Sequence, residues 1–77
     1  MSVTVKYLGI IEQTTGKSEE SVEKHGPLNK VLEFVLDRYP ALKELYFVVS
    51  HNGLIIHGNK EITGGDQITL IPPAPGG

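Results

Sequence analysis

The sequence has no cysteine, no excess of positive charge and no long apolar run. The absence of cysteine excludes a disulfide framework, a thiol nucleophile and a thiolate metal site. It also favours an intracellular protein, because small secreted domains usually depend on disulfides. Seven basic residues against nine acidic ones leave no cluster that could neutralise nucleic-acid phosphates. Nothing resembles a signal peptide or a membrane span, so we expect a cytoplasmic protein that binds neither nucleic acid nor membranes.

Alternating residues predict two strands in the first third of the chain. Apolar side chains at positions 3, 5 and 7 alternate with positions 4, 6 and 8, which is the period of a half-buried strand. The polar stretch Ser18–Lys24 predicts an edge strand paired with the first one. Between them, Ile10 and Ile11 indicate one helical turn.

A helix follows, defined by apolar residues spaced three and four apart. Gly26 and Pro27 predict its N-cap and first position. Pro40 predicts its end, because the residue before a proline avoids helical geometry. The apolar stripe, which we expect to pack on a sheet, comprises Leu28, Val31, Leu32, Val35, Leu36 and Tyr39.

Three more strands are predicted in the second half. Tyr46–Val49 and Leu54–Ile56 flank Asn52-Gly53, a strong hairpin signal, and Gln67–Ile71 follows a glycine-rich turn. If the last strand returns parallel to the first through a right-handed connection, the result is an α+β fold of the β-grasp (ubiquitin-like) type, with one main helix packed on one face of a mixed sheet of about five strands. We expect this domain to span residues 1–71 and a flexible tail to span residues 72–77.

The last six residues are unusual for the end of a globular domain: Pro72, Pro73, Ala74, Pro75, Gly76 and Gly77. Prolines favour an extended path, and the two glycines could enter a slot too narrow for side chains. Six residues reach up to roughly 20 Å. We therefore predict that the tail delivers its terminal carboxylate into the active site of another protein.

The segment from Ile62 to Gly77 resembles the C-terminal third of the small subunit of molybdopterin synthase, a MoaD/ThiS-type ubiquitin-like sulfur carrier. The shared features are a Gly-Asp turn, an apolar strand, the Pro72-Pro73 pair and the terminal Gly-Gly. The first strand, the helix and the Asn52-Gly53 turn fall in the order expected of MoaD-like proteins. The chain departs from them at Pro75, where they usually carry a small residue, and a proline there removes one backbone donor.

The resemblance implies a chemistry at Gly77. A ubiquitin-activating-type adenylyltransferase (MoeB-like) would use ATP and magnesium to convert the Gly77 carboxylate into an acyl-adenylate. A sulfur donor would then replace AMP and leave a thiocarboxylate. The tail, including Pro72, Pro73, Ala74, Pro75 and Gly76, would enter the large subunit of molybdopterin synthase (MoaE-like), where the sulfur passes to the molybdopterin precursor. The chain itself would bind no cofactor and would act as a sulfur-donor subunit rather than as an enzyme on its own.

Three apolar residues fall out of phase with the expected core. Leu8, Ile55 and Ile71 occupy strand faces opposite to those of their apolar neighbours, which predicts a partly exposed patch beside the tail. Such patches often mark interfaces, and the resemblance implies that both partners dock there. The alternative is that one or more of these residues completes the small core.

The ionisable residues indicate no further site. No metal site is expected, because His25, His51 and His57 lack enough additional ligands. The glutamates at positions 19, 20 and 23 are predicted to form a solvated edge rather than paired catalytic carboxylates.

Three other functions stay open. A thiamine-pathway sulfur carrier has the same fold and Gly-Gly end but usually lacks the Pro-Pro pair. A ubiquitin-like modifier would pass the activated Gly77 to lysine amines. An interaction domain with an incidental Gly-Gly end is the third.

Overall fold

The computed structural model describes residues 1–73, in which seven strands and three helices follow one another. The strands are β1 Val3–Tyr7, β2 Glu19–Val22, β3 Gly26–Pro27, β4 Val48–His51, β5 Leu54–Ile56, β6 Glu61–Ile62 and β7 Gln67–Ile71. The helices are α1 Ile10–Thr15, α2 Leu28–Arg38 and a 3₁₀ helix over Pro40–Glu44. Five strands form the main sheet, and β3 pairs with β6 in a separate two-stranded sheet.

Strand β7 occupies the centre of the main sheet, whose order is β2-β1-β7-β4-β5. It runs parallel to β1 and antiparallel to β4. At the two edges, β2 pairs antiparallel with β1 and β5 pairs antiparallel with β4. This topology confirms the predicted β-grasp, with its first hairpin and its parallel return of the last strand. The parallel pairing also places the carboxyl ends of β1 and β7 at the same end of the sheet.

The core lies between α2 and the sheet face that carries the alternating apolar residues of β1 and β7. The helix contributes Leu28, Val31 and Val35 as buried residues, and the rest of its predicted stripe packs partly buried against them. The side chains with no exposed surface are Val3, Val5, Tyr7, Ile11, Val31, Leu42, Ile62, Ile68 and Leu70. The apolar stripe of α2 and the alternating apolar residues of the strands therefore pack against each other in one core layer.

Helix α2 begins at Leu28 with Pro27 as its N-cap, one residue later than predicted. Proline has no polar side chain with which to cap a helix, and the partners come from a distant loop. The Leu28 N–H donates to the Lys60 carbonyl at 2.7 Å. The Asn29 N–H donates to Asn59 Oδ1 at 2.8 Å. These contacts satisfy two of the donors that every helix N-terminus leaves open.

Other boundaries agree with the sequence or move by a few residues. Strand β4 begins at Val48 rather than at Tyr46, α1 is six residues long rather than one turn, and β6 forms in a segment predicted to be a plain connection. Pro40 ends α2 as predicted. Asn52 and Gly53 have φ of 49° and 91°, the left-handed geometry that a two-residue hairpin turn requires.

Candidate functional site

The chain leaves the sheet from its central strand. Strand β7 ends at Ile71, and the first two residues of the predicted tail follow, Pro72 half-buried and Pro73 exposed. Because β7 is hydrogen-bonded on both sides, the tail departs from a firmly held strand. The other predicted tail residues, which include Gly77 with its predicted reactive carboxylate, lie outside the described residues: Ala74, Pro75, Gly76 and Gly77.

The base of the tail packs against the turn that follows β1. The Leu8 N–H donates to the Leu70 carbonyl at 3.3 Å, which extends the pairing of β1 and β7 by one residue. The next residue, Gly9, has φ 55° and ψ −129°, a combination open to glycine and strained for other residues. A Cβ on Gly9 would lie 3.1 Å from Pro72 Cγ. The absence of a side chain therefore allows Pro72 to lie close to this turn.

The sheet face opposite α2 carries four apolar residues, Leu8, Val48, Ile55 and Ile71, which we call the outer patch. Leu8, Val48 and Ile55 are 43%, 45% and 49% exposed, and Ile71 is half-buried. Sequence reasoning identifies three of the four and misses Val48, although its alternation with the buried Val49 carries the same signal. The exposed fractions of Leu8 and Ile55 place both on the surface rather than in the core.

Strand register brings the outer patch together beside the tail. Val48 on β4 pairs with Ile71 on β7. Leu8 follows β1 on the same face and adjoins Ile71, since β1 and β7 pair in parallel. Ile55 on β5 lies diagonal to Val48, a spacing that long apolar side chains can bridge. The patch and the tail base are therefore neighbours at the end of the sheet where β1 and β7 finish.

Comparison of the sequence with known protein families identifies the family of this chain. The sequence profile of the ThiS family matches residues 5–77. This chain belongs to the ThiS family. No curated protein shows a significant sequence match to it.

The solved structures similar to the ThiS-family chain include molybdopterin-converting factors and a small archaeal modifier protein. A chain from the complex of subunits 1 and 2 of molybdopterin-converting factor from Helicobacter pylori is 28% identical, with a TM-score of 0.75 and 100% of both chains covered. A protein described as molybdopterin converting factor subunit 1 from Pyrococcus furiosus is 23% identical, with a TM-score of 0.86 over 96% of this chain and 99% of that one. Small archaeal modifier protein 1 from Haloferax volcanii is 20% identical, with a TM-score of 0.87 over 100% of both chains. The ThiS-family chain thus has the β-grasp fold of the ubiquitin-like sulfur carriers, as its sequence resemblance predicts.

The Gly-Asp turn of the ThiS-family chain is a hydrogen-bonding centre at the end of β7 opposite to the tail. Asp66 accepts hydrogen bonds from the Thr63 N–H at 2.9 Å, the Thr63 hydroxyl at 3.1 Å and Asn52 Nδ2 at 3.2 Å. His51 Nε2 lies 2.8 Å from Asp66 Oδ2. These contacts, led by the Thr63 backbone, hold the pKa of Asp66 well below its usual range. Asn52 Oδ1 also accepts from the Gln67 N–H at 2.9 Å, so this centre ties the hairpin turn to the start of β7 and has a structural role.

A second polar centre lies on β2, where a solvated edge was expected. The Glu20 side chain is only 9% exposed, and it accepts hydrogen bonds from the Tyr7 hydroxyl at 2.6 Å and the Tyr39 hydroxyl at 2.7 Å. Lys17 and Arg38 lie 3.3 and 3.2 Å from its other oxygen. Burial opposes the charged form, but these hydrogen bonds and cations outweigh it and lower the pKa of Glu20. Burial, followed by the Glu20 hydrogen bond, raises the pKa of Tyr7. For Glu20, the predicted solvated edge is wrong.

Two classes of feature are absent from the described chain. Within residues 1–73, no helix combines the length and the apolar character needed to cross a membrane. Over the same range, no three histidine, aspartate or glutamate side chains are grouped as metal ligands.

Proposed function

We propose that this protein is a sulfur carrier that serves as the small subunit of molybdopterin synthase. The observation that carries the proposal is the family match, which extends through the Gly76-Gly77 pair to residue 77. These residues belong to the segment that follows the central strand β7. The identity of 28% over the whole matched chain of the Helicobacter complex favours a molybdopterin role. The modifier matched by fold is 20% identical, which supports a shared fold and no more.

The reacting group is the carboxylate of Gly77. One carboxylate oxygen attacks the α-phosphorus of ATP, which the adenylyltransferase partner holds with magnesium, and pyrophosphate leaves. A donor at the oxidation level of sulfide then forms a C–S bond at the acyl carbon as AMP leaves. In the large subunit that bond breaks, the sulfur passes to the pterin precursor and water restores the carboxylate. Because glycine has no side chain, the acyl carbon is open to attack from either face.

The fold suits delivery of such a group. Six residues reach up to roughly 20 Å, and prolines reduce the entropy that a tail loses when it is threaded into a partner. The outer patch lies beside the tail base, so a partner that covers Leu8, Val48 and Ile71 would also receive the tail. We assign this surface to docking of the adenylyltransferase (MoeB-like) and of the synthase large subunit (MoaE-like).

The test is the mass of the C-terminal peptide of the protein recovered from its native cells. We expect a species in which sulfur replaces one terminal oxygen. Oxidation of the single methionine adds nearly the same mass, but Met1 is not part of this peptide, and fragment ions assign the change to Gly77. A chain that lacks Gly77 is the control and should show no such species.

A tryptic digest of proteins from the same cells distinguishes a protein modifier from a sulfur carrier. Lys60 is the last basic residue, so trypsin would leave residues 61–77, rather than a short Gly-Gly remnant, on any modified lysine. Lysines that carry this segment, without a thiocarboxylate species, would contradict the proposal. Cells that lack the chain should lose molybdopterin and keep thiamine synthesis, whereas the reverse result would identify a thiamine-pathway carrier.

A further inference from the structure

We infer that Gly9 is a positioning residue for the C-terminal tail. Its lack of a side chain lets Pro72 lie against the turn between β1 and α1, and this contact sets the direction in which the tail leaves the sheet. The inference rests on the proposed function, because it concerns delivery of the Gly77 carboxylate to a partner.

A methyl group on Gly9 would fit only if Pro72 moved by a few tenths of an ångström. A Cβ there would lie 3.1 Å from Pro72 Cγ, whereas carbon atoms in favourable contact are about 3.5–4.0 Å apart. Most side chains would relieve such a contact by rotating. The closed ring of Pro72 can move Cγ only by a change of pucker, so any shift beyond that requires the backbone of Pro72 to move.

The surrounding contacts indicate which side of this contact would yield. Leu70 is fully buried, and its carbonyl accepts a hydrogen bond from Leu8. On the other side, Pro73 is exposed. A methyl group on Gly9 would therefore displace the tail base rather than β7, and the displacement would occur only five residues before Gly77.

The chain offers a matched control in Gly16, at the opposite end of α1. Gly16 also has a positive φ, 78°, with ψ 10°, so Gly16→Ala introduces backbone strain, although less than Gly9→Ala does at ψ −129°. Within the described part of the chain, no atom lies within 4 Å of a Cβ built on Gly16. Gly16→Ala thus imposes strain next to α1 without touching the tail.

The experiment measures adenylation of the full chain by its cognate adenylyltransferase, as kcat and KM. We expect Gly9→Ala to lower kcat/KM by roughly tenfold, since Pro72 must shift by a few tenths of an ångström and misplacing a reacting group by about 1 Å costs about a hundredfold. The loss should fall mainly on kcat, because the outer patch that docks the enzyme is unchanged. Gly16→Ala should leave both constants unchanged while lowering the melting temperature.

A double-mutant cycle identifies the group through which Gly9 acts. Pro72→Ala removes Cγ, so adding Gly9→Ala to it should lower kcat/KM by less than about twofold. A loss of the same size in both backgrounds would overturn the inference, as would an equal loss in Gly16→Ala. Melting curves of all variants show whether each is folded.

NMR separates this inference from the proposed function. The wild type should show a nuclear Overhauser effect between Gly9 Hα and Pro72 Hγ, and Gly9→Ala should shift the resonances of residues 72–77. If the wild-type chain is not adenylated at all, the sulfur-carrier proposal fails while the contact is still judged by these spectra. Unchanged tail resonances in Gly9→Ala would overturn the positioning role.

Discussion

Removing the carboxylate of Glu20 is expected to destabilise the fold strongly, because this group is the acceptor for two tyrosine hydroxyls. In Glu20→Ala, the hydroxyl of the fully buried Tyr7 loses its 2.6 Å partner and that of Tyr39 loses its 2.7 Å partner. A hydrogen bond to a charged group contributes about 1.5–3 kcal/mol, and a buried hydroxyl left unsatisfied costs about 1–3 kcal/mol. The ion pairs to Lys17 and Arg38 add little, since both cations are over 40% exposed. We expect a loss of about 3 kcal/mol in the free energy of unfolding, and about 1 kcal/mol for Glu20→Gln, which keeps one acceptor oxygen.

The effect should depend on pH in a defined direction. The folded protein lowers the pKa of Glu20, so its carboxylate binds protons less readily in the folded chain than in the unfolded chain. Its contribution is therefore complete above the unfolded glutamate pKa, about 4.3, and is lost as the pH falls through the folded value. The difference between wild type and Glu20→Gln should shrink as the solution is acidified. Taking that difference cancels the acid sensitivity contributed by Asp66, which both proteins share.

Urea denaturation followed by circular dichroism, at neutral and acid pH, measures both the loss of unfolding free energy and its dependence on pH. The control is Glu19→Ala, the exposed neighbour on the same strand, for which a change within about 0.5 kcal/mol is expected. Equal losses for the alanine variants at positions 19 and 20 would refute the structural role of Glu20. If the difference in unfolding free energy between wild type and Glu20→Gln stays constant on acidification, the stabilising role of the Glu20 charge is refuted.

Three other perturbations test the remaining parts of the structure. Deletion of Gly77 should abolish adenylation and leave the melting temperature nearly unchanged, because the residue lies beyond β7; a large drop would contradict a tail separate from the domain. Ile71→Asp should weaken binding to the synthase large subunit, measured by calorimetry, more than it weakens folding, and an unfolded circular dichroism spectrum would assign Ile71 to the core instead. Asn59→Ala should cost about 1 kcal/mol in urea denaturation, as loss of a helix cap does. Asn29→Ala, which keeps the backbone donor of that cap, is its control, and an equal loss in both would exclude capping by Asn59.

Much of the fold could be predicted from local pattern. The helical stripe from Leu28 to Tyr39, the hairpin turn at Asn52-Gly53 and the bounds of β7 all depend on residues within a few positions of one another, so local spacing reports them. The start of α2 was misplaced by one residue because its partners come from Asn59 and the following carbonyl. These lie about thirty positions away, and no local rule connects them to the helix.

The candidate site could likewise be predicted only in part. Alternation places Leu8, Ile55 and Ile71 on the outer face and would have placed Val48 there as well, because the period of two along a strand is a property of the backbone itself. It does not predict Glu20, whose charge is retained in a nearly buried position only because two hydroxyls and two cations converge on it. They come from β1, the C-terminal end of α2 and the connection before β2.

The sequence by itself determined the class of fold, the family and the group expected to react, because each is written in short, continuous patterns: a stripe, an alternation and a Gly-Gly end. Only the tertiary structure decided what lies beside the base of the tail. The contact of Gly9 with Pro72 exists because β1 and β7, more than sixty residues apart in the chain, pair in parallel and finish at the same end of the sheet. That neighbourhood follows from strand order and register, which are set by the packing of the whole domain around its core.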